Sequence, residues 1–217
     1  MQRRFYALTL ALSIALILAT TVYPICYAKS VRSITYTVFN SSTLTYYELD
    51  KNYTGFTAEI VNKLTYNTTT NKAAIVRLCG DENAALGPWI ELSFWPNGEL
   101  HIWINDTSSN IEVGAGEWKS GNTTTVIVTD DGIVSVKDYD GNYILQNYGI
   151  GAFTLHYVGG HGETTGSIAT AGYTTIEVTG SYATTEGISE SVMVWIPIIV
   201  TFAMLGMVLG MIKKFSR

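Results

Sequence analysis

Disulfide bonds cannot hold this chain together, because its 217 residues include only two cysteines, Cys26 and Cys79. Cys26 lies in an N-terminal segment that we expect to be removed, which leaves Cys79 as the single cysteine of the mature chain. An internal disulfide is then excluded, and stability must come from packing. We expect Cys79 to be a buried free thiol, with pairing to a second molecule as the alternative.

Long hydrophobic runs are absent from the middle of the chain and occur only at its two ends. The C-terminal run, residues 192–212, contains no charge, and Lys213 follows it. At 1.5 Å per helical residue it spans roughly 30 Å, the thickness of the hydrocarbon layer of a bilayer. A run of this length without a polar face is typical of a membrane-spanning helix rather than of a buried core helix.

The N-terminal run has the pattern of a secretory signal. Arg3 and Arg4 precede an apolar stretch at residues 8–22, and Cys26-Tyr27-Ala28 offers small residues at the two positions that a signal peptidase reads. We expect cleavage after residue 28, with a retained second membrane span as the alternative.

Basic residues at Lys213, Lys214 and Arg217 place the C-terminus in the cytoplasm by the positive-inside rule. The sequence therefore predicts a single-pass type I protein of the cell membrane or of a virion envelope, with its main domain outside. The predicted segments are a signal peptide at 1–28, a domain at 29–180, a stalk at 181–191, a membrane helix at 192–212 and a tail at 213–217.

Positive charge is scarce in the exported segment. It carries eight basic against eighteen acidic residues, a formal charge of −10, which argues against nucleic acid as a partner. Five Asn-x-Ser/Thr sequons in this segment are candidate glycosylation sites in a cell with the required machinery. They are Asn40, Asn52, Asn67, Asn105 and Asn122.

Helical periodicity is lacking as well, and strict alternation replaces it. In residues 89–105 the aliphatic side chains fall at every second position on both sides of Pro96-Asn97-Gly98. A three-residue loop with Gly in the left-handed position predicts a hairpin that sets the aliphatic residues opposite one another on one face. The predicted pairs are Phe94 with Leu100, Leu92 with Ile102 and Ile90 with Ile104.

The same pattern recurs around Asp130-Asp131-Gly132, where Val128 would face Val134 and Val126 would face Val136, and again near residues 139–141. Further strands are predicted at 33–39, 56–61, 73–78, 150–158 and 173–178. So many short strands without intervening helices predict an all-β fold of two sheets packed face to face.

The order of these elements resembles the concanavalin-A-like lectin and glucanase superfamily, which includes laminin-G-like modules. The resemblance rests on residues 56–59, the strand pair 89–104, the Gly-Glu-Trp turn at 116–121, and the two strands that end at Asp131-Gly132 and Asp140-Gly141. It covers roughly residues 33–178 and implies a jelly-roll β-sandwich whose concave face often binds glycans. Another β-sandwich is the alternative.

The hairpin face opposite the aliphatic residues combines indole rings with hydrogen-bonding groups. This combination can bind a sugar, because the C–H groups of the sugar stack on indole rings while its hydroxyls form hydrogen bonds with the polar groups. The alternative is that the tryptophans pack beneath a loop, support the second sheet or touch a partner protein. The predicted ligand-binding residues are Trp89, Glu91, Trp95, His101, Trp103 and Asn105.

Catalytic signals are weak, and we predict a protein that is not an enzyme. Glycosidases of the resembled superfamily place two carboxylates on one concave strand, whereas residues 91, 93 and 95 here are Glu91, Ser93 and Trp95. His156, His161 and Glu163 lack metal-ligand spacing, and we assign Gly159-Gly160 between them to a hairpin loop.

Calcium is the only cofactor that the sequence suggests. Asp138, Asp140 and Asn142 place oxygen atoms at alternate positions, and the resemblance to laminin-G-like modules implies calcium at a loop edge. A tight hairpin explains the same residues without a metal, because Asp, Gly and Asn favour such turns.

The predicted function is non-catalytic recognition or adhesion at the cell or virion surface, with carbohydrate as the ligand class. The alternative is a structural envelope or surface-lattice component that self-associates, and a glycoside hydrolase is the weaker third interpretation. The expected partners are the membrane, glycans or surface proteins, and a second copy through Gly206 and Gly210 in the membrane helix.

Overall fold

The computed structural model describes residues 26–81, 88–105, 110–166 and 168–182. The predicted membrane helix and tail, and most of the predicted signal peptide and stalk, lie outside these ranges, and within them no helix is long and apolar enough to cross a membrane. The elements are β1 (Cys26–Thr35), α1 (Tyr36–Phe39), β2 (Thr45–Asn62), β3 (Thr65–Tyr66), β4 (Ala74–Cys79), β5 (Trp89–Phe94), β6 (Glu99–Asn105), β7 (Asn110–Glu117), β8 (Thr123–Val128), β9 (Ile133–Lys137), β10 (Tyr143–Gly149), β11 (Leu155–Gly162), β12 (Ala169–Ala171) and β13 (Tyr173–Tyr182).

The long strand β2 belongs to two sheets. Its second half pairs with β8 on one side and with β13 on the other, and these strands continue to β9, β10 and β1. Its first half pairs with β11, which leads through β4, β5 and β6 to β7. All of these pairs are antiparallel. They join 11 of the described strands in one continuous sheet that divides at β2 into two halves, which we call, in this order, the first and the second sheet, while β3 and β12 pair as a separate two-stranded sheet.

Among the described residues, the larger of two apolar clusters is the core between the two sheets, and the smaller one contains Cys79 and Trp89 with Trp103 packed against it. Alternate residues of β2, β8 and β13, such as Ile60, Val126 and Ile176, are buried in one cluster with Leu92 and Ile102 of the β5–β6 hairpin. The period of two in each strand directs these side chains to the inner face. The all-β class and the face-to-face packing predicted from the sequence are confirmed.

The two predicted hairpin registers are also confirmed. Phe94 pairs with Leu100, Leu92 with Ile102 and Ile90 with Ile104, while Val128 and Val126 pair with Val134 and Val136. Gly98 and Gly132 have φ angles of 90° and 77°, the left-handed conformation that such loops need. Local turn chemistry therefore fixes these registers, as the sequence pattern indicates.

Two predictions about secondary structure were wrong, and a third had the wrong start, since the predicted strand 150–158 begins only at Leu155. The predicted strand 33–39 ends at Thr35, and α1 follows it, with the backbone N–H of Asn40 bonded to the carbonyl of Tyr36 at 3.0 Å. This turn carries Phe39 into the core.

Gly159-Gly160 is the second error, because these residues lie inside β11 rather than in a loop. A Cβ on Gly160 would stand 2.7 Å from the side chain of Ile34, and one on Gly159 would stand 2.8 Å from that of Leu44. The glycines therefore allow other segments to pack closely on both faces of the strand.

Candidate functional site

The β5–β6 hairpin positions the residues that the sequence predicts as ligand-binding. Glu91 lies opposite Trp103, Ser93 opposite His101, and Trp89 opposite Asn105. They alternate along the strands with the aliphatic residues of the inner face, which are at most 1% exposed. These side chains therefore occupy the outer face of the second sheet.

Half of this outer face is covered. Trp89 and Glu91 are only 4% and 7% exposed. Arg77 of β4 lies beside them, because β4 pairs with β5 so that Arg77 stands opposite Glu91. Its Nε donates a hydrogen bond to Glu91 Oε2 at 2.8 Å, its Nη2 also bonds to that oxygen, and its guanidinium lies 4.2 Å from the centroid of the Trp89 ring. These residues form a buried layer that supports the rest of the face.

The environment of Glu91 determines its charge. Burial raises the pKa of this carboxyl, but contact with His161 and the positive charge of Arg77 outweigh burial and leave the pKa below its usual range. Glu91 is therefore ionised at neutral pH and is tied to Arg77. A general acid of a glycosidase needs a raised pKa, so this carboxyl is unsuited to that role.

His161 of β11 completes the buried layer. Its Nδ1 donates to the carbonyl of Gly162 at 2.9 Å, and its Nε2 lies 3.9 Å from Glu91 Oε2. Within the described ranges, Nε2 is buried without a hydrogen-bond partner. The ring therefore contributes to the electrostatic environment of Glu91 rather than to a metal site.

The other half of the face is open along β6. Trp95, His101, Trp103 and Asn105 are all half-buried, and we call these four residues the β6 strip. The Trp95 and His101 rings meet edge to face with centroids 6.0 Å apart, and His101 Nδ1 lies 2.5 Å from Glu112 Oε1 on β7. The strip therefore combines partly accessible indole rings with a paired imidazole and carboxylate.

Negative charge surrounds the β6 strip. Glu99 lies opposite Glu117 on β7, and Glu112 lies opposite Trp103. All three glutamates are exposed. A hydrogen bond from Asn97 and contact with His101 lower the pKa of Glu99, so this carboxyl is also ionised at neutral pH.

A second candidate surface is a groove of about 510 Å³ beside the β5–β6 turn. We call it the end groove. Its walls are Leu64, Tyr66, Asn67, Thr68, Thr70, Asn71, Pro96, Asn97 and Trp118. None of these lining side chains carries a charge.

The aromatic wall of the end groove is fixed by hydrogen bonds. Tyr66 Oη donates to the carbonyl of Phe94 at 2.7 Å, and Trp118 Nε1 donates to that of Trp95 at 2.8 Å. The Tyr66 and Trp118 rings lie 5.6 Å apart between centroids. Burial raises the pKa of Tyr66 well above its usual range, so its hydroxyl stays neutral.

No protein-family model and no curated protein matches this chain.

Solved structures match part of the fold. The exoplasmic/lumenal domain of VIP36, in a Ca²⁺/Man3GlcNAc-bound form, is 10% identical with a TM-score of 0.44, over 71% of this chain and 81% of that one. The carbohydrate binding module CBM66 from Bacillus subtilis is 9% identical with a TM-score of 0.39, over 65% and 81%. The GH43 protein BlXynB from Bacillus licheniformis is 9% identical with a TM-score of 0.41, over 60% of this chain and only 28% of its own.

At such identities and TM-scores, these matches carry no argument about the superfamily or the site of this chain.

The suggested calcium site is organised as a hairpin. Asp138 Oδ1 accepts hydrogen bonds from the backbone N–H groups of Asp140 and Asn142, at 3.0 and 2.8 Å. Among the residues that the structure describes, no three His, Cys, Asp or Glu side chains are grouped so that they could hold a metal ion. The hairpin alternative accounts for this sequence without a metal.

The sequons differ in accessibility. Asn52 and Asn122 are exposed, whereas Asn40, Asn67 and Asn105 are half-buried. The Oδ1 atom of Asn40 accepts the backbone N–H of Ile168 at 3.1 Å, which ties this side chain to the fold. Glycosylation stays a prediction at all five positions.

Cys79 has the state expected from the sequence. It is a free, buried cysteine, and burial raises the pKa of its thiol to about 12. The thiol donates to the carbonyl of Tyr157 at 3.6 Å. Because the thiolate is the reactive form, this cysteine is not a nucleophile at neutral pH.

Sequence reasoning missed four residues that shape the two surfaces, namely Arg77, His161, Tyr66 and Trp118. Arg77 was assigned to a strand without a partner, and Trp118 to a turn. A charged residue at the centre of an otherwise apolar strand, Ala-Ile-Val-Arg-Leu-Cys, is the signal that points to a buried ion pair. Nothing local indicates that Glu91 is the partner.

Proposed function

We propose that the described domain is a non-catalytic recognition domain that binds carbohydrate on the β6 strip. The observation that carries this proposal is the pair of half-buried indoles, Trp95 and Trp103, beside the His101–Glu112 pair. Indole faces bind the C–H faces of sugars, while imidazole, carboxylate and amide groups bind hydroxyls. The buried layer of Arg77, Glu91 and Trp89 holds the hairpin rigid beneath them.

The arrangement of carboxylates supports binding over hydrolysis. Retaining glycosidases need two carboxyl groups about 5 Å apart, one of them with a raised pKa. On β5 the residue two positions from Glu91 is Ser93, and Glu91 itself has a lowered pKa. Across the sheet, Glu91 on β5 lies opposite Trp103 on β6, and Trp103 lies opposite Glu112 on β7. Among the described residues of this cross-strand line, Glu112 is therefore the next acid, two strands away from Glu91.

We expect Trp103→Ala to abolish the binding of the β6 strip to a glycan array, because it removes a stacking surface from the centre of the strip. The purified full-length chain should keep its melting temperature within a few degrees, since the indole is only half-buried. Array binding and thermal unfolding of the same samples measure the two effects.

Tyr143→Ala is the matched control. Tyr143 is an aromatic residue on β10, in the other sheet, and is 48% exposed, so its loss should change neither measurement. A large loss of stability in Trp103→Ala would show that the indole is structural. A chain that binds no glycan but assembles into regular arrays would favour the surface-lattice alternative.

We also propose that residues 192–212 anchor the domain in a membrane with the domain outside, on the strength of the sequence pattern. A tag after Arg217 should then resist protease added to intact cells, while a tag near Ser33 should be cut. Equal protection of the two tags would contradict this topology.

A further inference from the structure

The end groove is separate from the β6 strip and is not used by the function proposed above. It lies where β3, the loop that follows it, the β5–β6 turn and Trp118 meet. The strip lies on the outer face of the second sheet, whereas Trp118 packs against Phe94, a residue of the inner face, with ring centroids 5.8 Å apart. The two surfaces therefore lie on different sides of the β5–β6 hairpin.

The aromatic wall of the groove presents ring surface and no spare polar atom. The hydroxyl of Tyr66 and the indole N–H of Trp118 are both bonded to backbone carbonyls. A ligand can therefore gain only apolar contact from these rings. Their positions are also fixed in advance, so binding does not have to order them.

The polar wall offers hydrogen-bond donors instead. Asn67 Oδ1 accepts from the backbone N–H and the hydroxyl of Thr69, at 3.1 and 2.8 Å, and Asn97 Oδ1 accepts from the backbone N–H of Glu99 at 3.1 Å. These bonds use the amide oxygens. The Nδ2 group of Asn97 is engaged by the Glu99 carboxylate, so among these two amides Asn67 Nδ2 is the donor that the described residues leave for a ligand. The side chains of Thr68 and Asn71 have no hydrogen bond within the described part of the chain.

We propose that the end groove is a second binding site, for an uncharged saccharide. Such a ligand has hydroxyls that accept bonds from amide N–H groups and a C–H face that packs on Tyr66 or Trp118. A charged ligand would find no opposite charge among the lining residues, so its desolvation would not be offset. The groove's volume is within the range of small-molecule sites.

The site also contains the sequon at Asn67. A glycan attached to the Asn67 amide nitrogen would take one of the donors and occupy the groove. The test therefore uses the full-length chain from a host that does not glycosylate asparagine.

The experiment measures binding of neutral oligomers of glucose, mannose, galactose and N-acetylglucosamine by titration calorimetry, beside a sialylated and a sulfated oligosaccharide. We expect Thr68→Ala with Asn71→Ala to weaken binding of the preferred neutral oligomer about tenfold, because two hydrogen bonds are lost. Gln146→Ala, at an exposed position of β10, is the matched control and should bind like the unchanged chain.

A bulky variant tests the site without relying on hydrogen bonds. Asn71→Trp should fill the groove and abolish binding there, while binding on the β6 strip remains. Thr68 and Asn71 are at the exposed rim, so thermal unfolding should be unchanged. The proposal is overturned if neither set of changes affects binding, if no neutral oligomer binds, or if the charged oligosaccharides bind as well as the neutral ones.

The proposals for the two sites can be contradicted independently of each other. Trp103→Ala removes a residue of the β6 strip and should leave binding in the end groove intact. If Trp103→Ala abolishes all binding and the Thr68 and Asn71 changes have no effect, the end groove is excluded while the function proposed for the strip stands. The reverse pattern excludes the strip.

Discussion

Phe94→Ala should lower the free energy of unfolding by about 3–5 kcal/mol, the cost of removing a fully packed aromatic side chain. Phe94 is 1% exposed, lies in the core beside Leu100, and packs edge to face on Trp118. A loss of this size is a large part of the stability of an ordinary domain. Denaturant unfolding of the full-length chain measures it.

Ile111→Ala is the control for this change. Ile111 is an apolar residue on β7 that is 40% exposed, so we expect a change within about 0.5 kcal/mol. Equal losses in the two variants would contradict the placement of the core between the sheets.

Arg77→Ala should cost about 3–5 kcal/mol at neutral pH, because it leaves the Glu91 carboxylate buried without its partner. The pH dependence identifies the cause. In the unchanged chain the pKa of Glu91 is lowered, so its contribution to stability is present above the unfolded-state pKa and is lost as the pH falls through the folded-state value.

Without Arg77, burial is opposed by His161 alone, so the pKa of Glu91 should be higher than in the unchanged chain. Protonation then relieves the buried charge, so the difference between Arg77→Ala and the unchanged chain should shrink as the pH falls toward 4, an acidity close to the usual pKa of a glutamate. The measurement is denaturant unfolding of Arg77→Ala and of the unchanged chain, side by side, at several pH values between neutral pH and about 4. A difference that does not change with pH would mean that the loss comes from packing of Arg77 on Trp89.

Replacing both Arg77 and Glu91 separates the energetic effect of this ion pair from that of its neighbours. Arg77→Met combined with Glu91→Leu should recover most of the stability lost in Arg77→Ala, because no charge is left buried at this position. The nearby His161 is unchanged in this variant. A double variant as unstable as Arg77→Ala would contradict the account.

The β6 strip and the end groove make different demands on the fold. The strip uses side chains of β6 and of the β5–β6 turn, so a stable hairpin is enough to present them. The end groove needs β3, the turn after β5 and the residue after β7 to meet, which depends on the whole sandwich. A change that loosens the core, such as Phe94→Ala, should therefore damage the groove more than the strip.

Local features of the sequence were reliable guides to the hairpins. The register of Phe94 with Leu100 and of Val128 with Val134 follows from turn residues and period-two alternation, which act over a few residues. The strand β7 was not predicted, because Gly114 and Gly116 interrupt its apolar pattern. A Cβ on Gly116 would stand 2.4 Å from Ile144 of β10, so only the contact between these strands explains the glycine.

The sequence by itself determined the all-β class, the two hairpin registers, and the face of the β5–β6 hairpin on which Trp103 and Glu91 lie. Only the tertiary structure decided that Trp89 and Glu91 are covered while Trp95 and Trp103 are partly open. It also decided that Trp118 meets Tyr66 in a groove. The reason is that alternation along a strand determines which face of the sheet a side chain occupies. Whether that side chain is buried depends on strands far away in sequence, such as β11, whose pairing no local pattern encodes.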